Sequence, residues 1–293
     1  MNVKPVTISA LISRFREELG ELYPEREIRN LFHLLMEQLN YKKTEIYLNL
    51  SANLKSSETD WMLDALERLK NHVPVQYILG HTWFCGLKIG VQSGVLIPRS
   101  ETEELVQWIV KENDSRPRRM IDMGCGSGCI ALAVKKQRPA WKIAGLDADE
   151  MALASARKNG KELQLEVEWI RGDILDPSSW PAVGQYDVVV SNPPYIPEKE
   201  MSSLAPHVVR AEPGRALFVP DHDPLLFYRA LEEFGSSRLI PGGALYVEMH
   251  ERMMDPLAGL FSEKGWEQVT PARDIHGKWR MLRAFRPPKS VSL

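Results

Sequence analysis

The chain has 293 residues, 44% hydrophobic and 26% charged, and its 37 basic and 39 acidic side chains leave a formal net charge of -2. That length suits one or two folded units with an ordinary globular core. No apolar run approaches the roughly 20 residues that cross a bilayer, and the balanced charge argues against a protein that grips duplex nucleic acid.

Three cysteines, Cys85, Cys125 and Cys129, are too few for a disulfide framework. Cys125 and Cys129, set among glycines, suit no common zinc site, so no metal is expected. The opening Met1-Asn2-Val3-Lys4-Pro5 has no apolar signal-peptide core, and a reducing cytoplasm is the expected location. Arg116 to Arg119 and Arg280 to Lys289 are short basic runs that read as solvated surface.

Residues 1–75 read as a helical module. Glu25 to Leu39 places Ile28, Leu31, Phe32, Leu35 and Leu39 on one face at helical spacing. A second helix, capped by Ser57, carries the stripe Met62, Ala65, Leu66 and Leu69, and ends before Pro74. Residues 76–98 change character, and Trp83 to Val91, partly alternating and with two glycines, reads as a β-hairpin joining two domains.

From residue 99 to 293 strands and helices alternate. Strands are expected at Met120 to Met123, Lys142 to Leu146, Leu165 to Ile170, Tyr186 to Ser191, Ala244 to Glu248, Glu267 to Thr270 and Arg280 to Phe285. Helices are expected at Ser127 to Gln137, Glu150 to Glu162, Pro224 to Phe234 and Glu251 to Glu263. The strongly apolar centre of Tyr186 to Ser191 suits a parallel strand buried on both faces. Alternating βαβ units of this kind make an open, doubly wound, mostly parallel α/β sheet of seven strands.

Asp122-Met123-Gly124-Cys125-Gly126-Ser127-Gly128 lies between an expected strand and an expected helix. Glycine removes the Cβ that would hold a ligand off the backbone, and a loop of this kind at a helix N-terminus makes a nucleotide-type pocket. Asp147 ends the next strand, about 20 residues on, where Rossmann-like sites place an acceptor for ribose hydroxyls. The loop lacks the G-x-G-x-x-G spacing that seats a pyrophosphate, and Asp122 would repel one. The same acidic residue suits the sulfonium and amino group of S-adenosylmethionine, and Asp173, at the third strand's end, suits the adenine amino group.

Asn192-Pro193-Pro194-Tyr195 closes the fourth strand. Two prolines stop pairing and stiffen the turn. The Asn192 side-chain carbonyl and the Pro193 backbone carbonyl can then accept both hydrogens of a substrate amino group, and Tyr195 offers a flat face for stacking. This arrangement suits a planar amide-type nitrogen, a poor nucleophile that must be held in line with acceptors for the charge growing on it.

With these residues in view, the chain resembles the HemK/PrmC family, methyltransferases that modify the glutamine of the Gly-Gly-Gln loop in translation release factors. Pro74 to Gly80, Val95 to Glu103, Cys129 to Leu132, Ser191 to Ile196, Glu212-Pro213 and Ala216-Leu217 carry the resemblance. It implies a Rossmann-like class I S-adenosylmethionine-dependent fold with a small N-terminal helical-bundle domain that docks the substrate. It also implies that Gly124, Cys125, Gly126, Ser127, Gly128, Asp147, Asp173, Ile174 and Asn192 line the cofactor site. Asn192, Pro193, Pro194 and Tyr195 would hold the glutamine amide, and Arg99, Glu101, Thr102 and Glu103 would shape the adjoining wall.

Three departures stand out: Cys125 where threonine is usual, Phe218-Val219-Pro220 where a glycine pair is common, and Glu248-Met249-His250 in place of Glu-x-Gly. His250 reads as a packed or surface histidine, since the chemistry needs no base. The function expected is N5 methylation of that glutamine, with class 1 peptide chain release factors as protein partners. The alternative is a nucleic-acid N-methyltransferase acting on adenine N6 or ribosomal guanine N2 through the same pocket. A third possibility is a non-enzymatic S-adenosylmethionine-binding protein.

Overall fold

The computed structural model describes residues 6–181 and 184–287, so the signal-peptide reading of Met1 to Pro5 and the tail of the Arg280 to Lys289 run lie outside the described residues. The chain forms two compact units, Met1–Gly80 with Ala205–Ala211, and His81–Leu204 with Glu212–Leu293.

The first unit contains α1 (Ile8–Leu19), α2 (Glu25–Gln38), α3 (Lys43–Leu48), α4 (Ser56–Lys70) and α5 (Val75–Leu79). Thr7 caps α1, its hydroxyl accepting from the Ala10 N–H at 3.2 Å. Ile8, Leu11, Phe15 and Leu19 then face inward, and the Phe15 ring meets Phe32 of α2 edge-on at 5.2 Å. The expected cap at Ser57 is corrected: α4 already starts at Ser56, and the Glu58 carboxylate accepts from the Lys55 N–H at 3.0 Å, the carboxylate half of a capping box. Gly80, at φ +75°, halts α5 in the left-handed conformation.

In the second unit, β1 (His81–Phe84) and β2 (Leu87–Gly90) form the expected hairpin, with Phe84 opposite Leu87. Both turn residues, Cys85 and Gly86, have positive φ, as a two-residue turn of this hand demands. There follow α6 (Ser100–Glu112), β3 (Arg119–Met123), α7 (Cys129–Gln137), β4 (Lys142–Asp147), α8 (Glu150–Leu163), β5 (Glu168–Arg171) and β6 (Tyr186–Ser191). After β6 come β7 (Ile196–Pro197), α9 (Pro206–Ala211), which groups with the first unit, β8 (Phe218–Val219) and α10 (Leu226–Arg238). The last elements are β9 (Leu239–Glu248), α11 (Met254–Glu263), β10 (Glu267–Arg273) and β11 (Trp279–Phe285). The Phe218-Val219 departure is thus a short strand, paired in parallel with β7.

The seven-stranded sheet runs β10-β11-β9-β6-β3-β4-β5, with β11 antiparallel to both neighbours and the strands from β9 to β5 parallel. Val188, Val189 and Val190 at its centre are fully buried, the reason their run reads so plainly as a strand. Tyr228, Leu231 and Phe234 of α10 and Leu257 and Phe261 of α11 share one apolar cluster with Val189, Leu245 and Val247 of the sheet. From β3 the chain winds one way through β4 and β5 and then the other through β6 and β9. The strand order therefore reverses between β3 and β6, where the ends of parallel strands leave a crevice.

Trp169 of β5 lies across Gly145 of β4, its register partner, and a Cβ on Gly145 would stand 2.6 Å from the indole. Gly145→Ala is therefore expected to destabilise the protein by roughly 1–3 kcal/mol through overpacking. The check is the urea midpoint at unchanged slope, and an unshifted midpoint would show that the ring yields freely.

Candidate active site

Loops from several strand ends meet at this crevice. After β3, Gly124 and Gly126 have φ of +75° and +55°, backbone that side-chain-bearing residues rarely adopt. The Gly124 and Cys125 N–H groups both donate to the Leu146 carbonyl, at 2.8 and 2.9 Å, which pins the loop to the end of β4. A cavity of about 250 Å³ opens beside it, walled by Gly124, Gly126, Asp147, Asp173, Ile174, Asn192 and Pro194 among others.

The Asp147 carboxylate is held at both oxygens: Oδ2 accepts from the Gly126 N–H at 2.8 Å and Oδ1 from the Asp149 N–H at 2.9 Å. Burial pushes its carboxyl above the usual range, against the pull of those two bonds. Asp149 caps α8 by accepting from Met151 N–H and pairs with Arg215, which also lines the cavity. Asp173 stands at the exposed rim, Oδ1 accepting from the Leu175 N–H at 2.8 Å, while the adjacent Ile174 is buried.

Further lining of the cavity comes from Gly94, Val95 and Leu96 on one stretch and Pro213, Arg215 and Ala216 on another. Glu212 ties the two together. Its carboxylate, fully buried, accepts from Arg99 Nη2 at 2.5 Å and from the Ile97 N–H at 3.2 Å.

At the end of β6, Asn192 Nδ2 donates to Thr102 Oγ1 at 3.1 Å. Thr102, on the first turn of α6, donates its own hydrogen to Glu248 Oε2 at 2.6 Å. The other oxygen of Glu248, at the end of β9, accepts from the Tyr195 hydroxyl at 3.0 Å. Burial raises the Glu248 carboxyl above its ordinary range, opposed by the Thr102 and Tyr195 hydrogen bonds and by Arg280. Burial next to that carboxylate also pushes the Tyr195 hydroxyl far up, so it remains a donor.

The structure thus brings Gly124, Gly126, Asp147, Asp173, Ile174, Asn192 and Pro194 onto one cavity, with Thr102 bonded directly to Asn192. Other residues singled out in the sequence do not line it. Cys125 and Ser127 are buried within the loop, and Gly128 is the left-handed N-cap of α7. Arg99 acts through Glu212, while Glu101 accepts from Ser100 at 3.0 Å. Pro193 is buried in the turn, and Tyr195 packs half-buried against the sheet cluster. Asp122 does not face the cavity: it is buried behind the loop, accepting from the Ala131 N–H of α7 at 3.2 Å, and burial pushes its carboxyl up to about 7. His250 is packed, with Nε2 on the Glu200 carboxylate at 3.2 Å.

Residues 10–80 match the family model of the PrmC N-terminal domain, and residues 100–217 match that of the Methyltransferase small domain. The chain is 39% identical to a release factor glutamine methyltransferase of Bacteroides thetaiotaomicron over 280 residues, 95% of this chain and 100% of that one. The chain belongs to the release factor glutamine methyltransferase family. A second member, from Flavobacterium psychrophilum, is 34% identical over 92% of this chain and 96% of its own length. The solved structure of a methyltransferase from Pyrococcus furiosus superposes with a TM-score of 0.50 at 18% identity, covering 80% of this chain and 100% of that one, a likeness of fold.

Membership of the family makes the chain an enzyme of methyl transfer, built on the Rossmann-like class I methyltransferase sheet. Neither Glu212 nor Glu248 is marked as a functional residue by the sequence alone. Glu212 stands in the sequence only as half of a Glu-Pro pair, and Glu248 as a strand end two residues before a histidine. The available signal in both was a carboxylate flanked by apolar residues, which must find donors if it is buried. Among the described residues no helix is long and apolar enough to cross a membrane, and no cluster of His, Cys, Asp or Glu could hold a metal.

Proposed function

We propose that this family member transfers a methyl group from S-adenosylmethionine to the side-chain amide nitrogen, N5, of the glutamine in the Gly-Gly-Gln motif of class 1 peptide chain release factors. The observation that carries the reading is a shared cavity. Asn192 and Pro194, from the turn suited to a planar amide, line the same space as Asp147 and Asp173, which suit a nucleoside.

The residues present fit the cofactor. Gly124 and Gly126 give the cavity a wall of bare backbone, and Asp147 and Asp173 offer carboxylate acceptors for ribose hydroxyls and an adenine amino group. Buried Ile174 supplies apolar cover beside them. When bound, S-adenosylmethionine supplies an electrophilic methyl on a sulfonium. The protein then has to position an amide nitrogen whose lone pair is delocalised. Asn192 Oδ1 and the Pro193 carbonyl accept its two hydrogens, and Tyr195 limits the ways the amide plane can lie. No side-chain base is needed, because the N-methylated cationic product loses its proton readily.

On this reading residues 1–75 dock the protein substrate, 76–98 link the domains and 99–293 carry the chemistry. A bulky protein substrate suits a separate docking module, since contacts far from the reacting atom can supply specificity. The cytoplasm, where release factors act, is the corresponding location.

A labelled-methyl assay offers the enzyme release factor, the same factor with its Gly-Gly-Gln glutamine replaced, DNA and ribosomal RNA. Label on the intact factor alone is expected. Label on nucleic acid alone would keep the enzyme class and overturn the substrate.

A further inference from the structure

We infer that Glu248 and Thr102 are positioning residues that fix which way round the Asn192 amide faces its substrate. The inference rests on the methyl-acceptor reading of Asn192 and adds to it the residues that hold that acceptor in place.

An asparagine amide has two ends of similar shape and opposite polarity, one donating through Nδ2 and one accepting through Oδ1. Presented with a substrate –NH2, only the Oδ1 end attracts it, and a flipped amide would set N–H against N–H. Something in the protein must therefore distinguish the two ends. Thr102 does so because a hydroxyl has a single hydrogen. That hydrogen goes to Glu248 Oε2 at 2.6 Å, the shorter of its two contacts. Toward Asn192, 3.1 Å away, Thr102 Oγ1 then shows only lone pairs, so the end of the amide that meets it is Nδ2. Oδ1 is left on the other edge to accept from the substrate.

The polarity of this chain originates at Glu248. A carboxylate can only accept, and both its oxygens are occupied by donors, Thr102 and Tyr195. Glu248 and Thr102 are 1% and 2% exposed, so water does not compete for these bonds. Tyr228 of α10 donates to the Glu248 backbone carbonyl at 3.1 Å and secures the strand end itself. One buried carboxylate at the end of β9 thus anchors two parts of the acceptor turn, the amide at Asn192 and the ring at Tyr195. Neither Glu248 nor Thr102 lines the cavity, so both act through other residues.

The test uses full-length enzyme, S-adenosylmethionine and release factor as methyl acceptor, with kcat, KM and calorimetric cofactor affinity measured for each variant. Thr102→Val keeps the shape but removes the hydroxyl, and kcat is expected to fall roughly tenfold to a hundredfold with cofactor affinity nearly unchanged, beside a lowered melting temperature because the buried Glu248 carboxylate loses a donor. Thr102→Ser restores the hydroxyl and is expected to recover most of the loss. Glu248→Gln leaves one of its two donors facing an N–H, and kcat is expected to drop at least as far. Full turnover in T102V, or a T102S variant as slow as T102V, would overturn the inference. A wild-type enzyme that never methylates release factor would instead overturn the substrate reading, and is seen in the same assay before any variant is compared.

Discussion

Asn192→Ala is expected to slow methyl transfer by a hundredfold or more, about 3 kcal/mol of transition-state stabilisation, as for loss of one aimed hydrogen-bonding group. The size follows from what an amide nucleophile needs. Its nitrogen becomes reactive only as charge builds on the N–H groups, and the acceptors facing them strengthen as that happens. Alanine removes one of the two acceptors and leaves Thr102 Oγ1 without its donor. The Asn192 amide contributes one wall of a cavity whose glycine loop and carboxylates lie elsewhere, so cofactor affinity should change little. Single-turnover rates and calorimetry on the same preparation separate the two quantities. Equal losses in both would make Asn192 chiefly a cofactor residue.

Asp147→Ala is expected to act in the opposite way, weakening S-adenosylmethionine binding roughly tenfold to a hundredfold, the range for a hydrogen bond to a charged acceptor. Two effects combine. The ribose loses its carboxylate partner, and the Gly126 and Asp149 N–H groups lose theirs, which loosens the glycine loop and the start of α8 together. Asp147→Asn separates them in part, since it keeps one acceptor oxygen and removes the charge. An unchanged calorimetric affinity in Asp147→Ala would remove Asp147 from the cofactor map.

The strands of the sheet were the most legible part of the sequence. Tyr186 to Ser191 was bounded without error because a strand buried on both faces shows as an unbroken apolar run between polar ends. Strand β9, expected from Ala244, starts at Leu239, and Pro241, Gly242 and Gly243 give its first half the look of a turn. The helix expected from Ser127 begins at Cys129, since Gly128 is held left-handed at the cap. Helix α1 is not among the expected helices, although Thr7 and the stripe Ile8, Leu11, Phe15 and Leu19 mark it.

For the site, residues at strand ends were legible and residues that support them were not. Asp147 ends β4, Asp173 and Asn192 follow β5 and β6, and the topology carries all three to one cavity. The partners Thr102 and Glu248 are separated by 146 residues, and nothing local in either segment announces the other. Asp122 illustrates the converse. An acidic residue beside a glycine loop suggests a ligand contact, yet its place in β3 directs it to the Ala131 N–H behind the loop.

If the methyl group ends on a glutamine side-chain amide, the hydrolysis products of the methylated protein reveal it most directly. Release factor labelled by the enzyme with methyl-labelled S-adenosylmethionine would be digested, its Gly-Gly-Gln peptide isolated and then hydrolysed in acid. N5-methylglutamine must yield glutamate and labelled methylamine, and that volatile product, from that peptide alone, is the expected result. Label that stays with lysine or arginine after hydrolysis, or that never enters the Gly-Gly-Gln peptide, would contradict it.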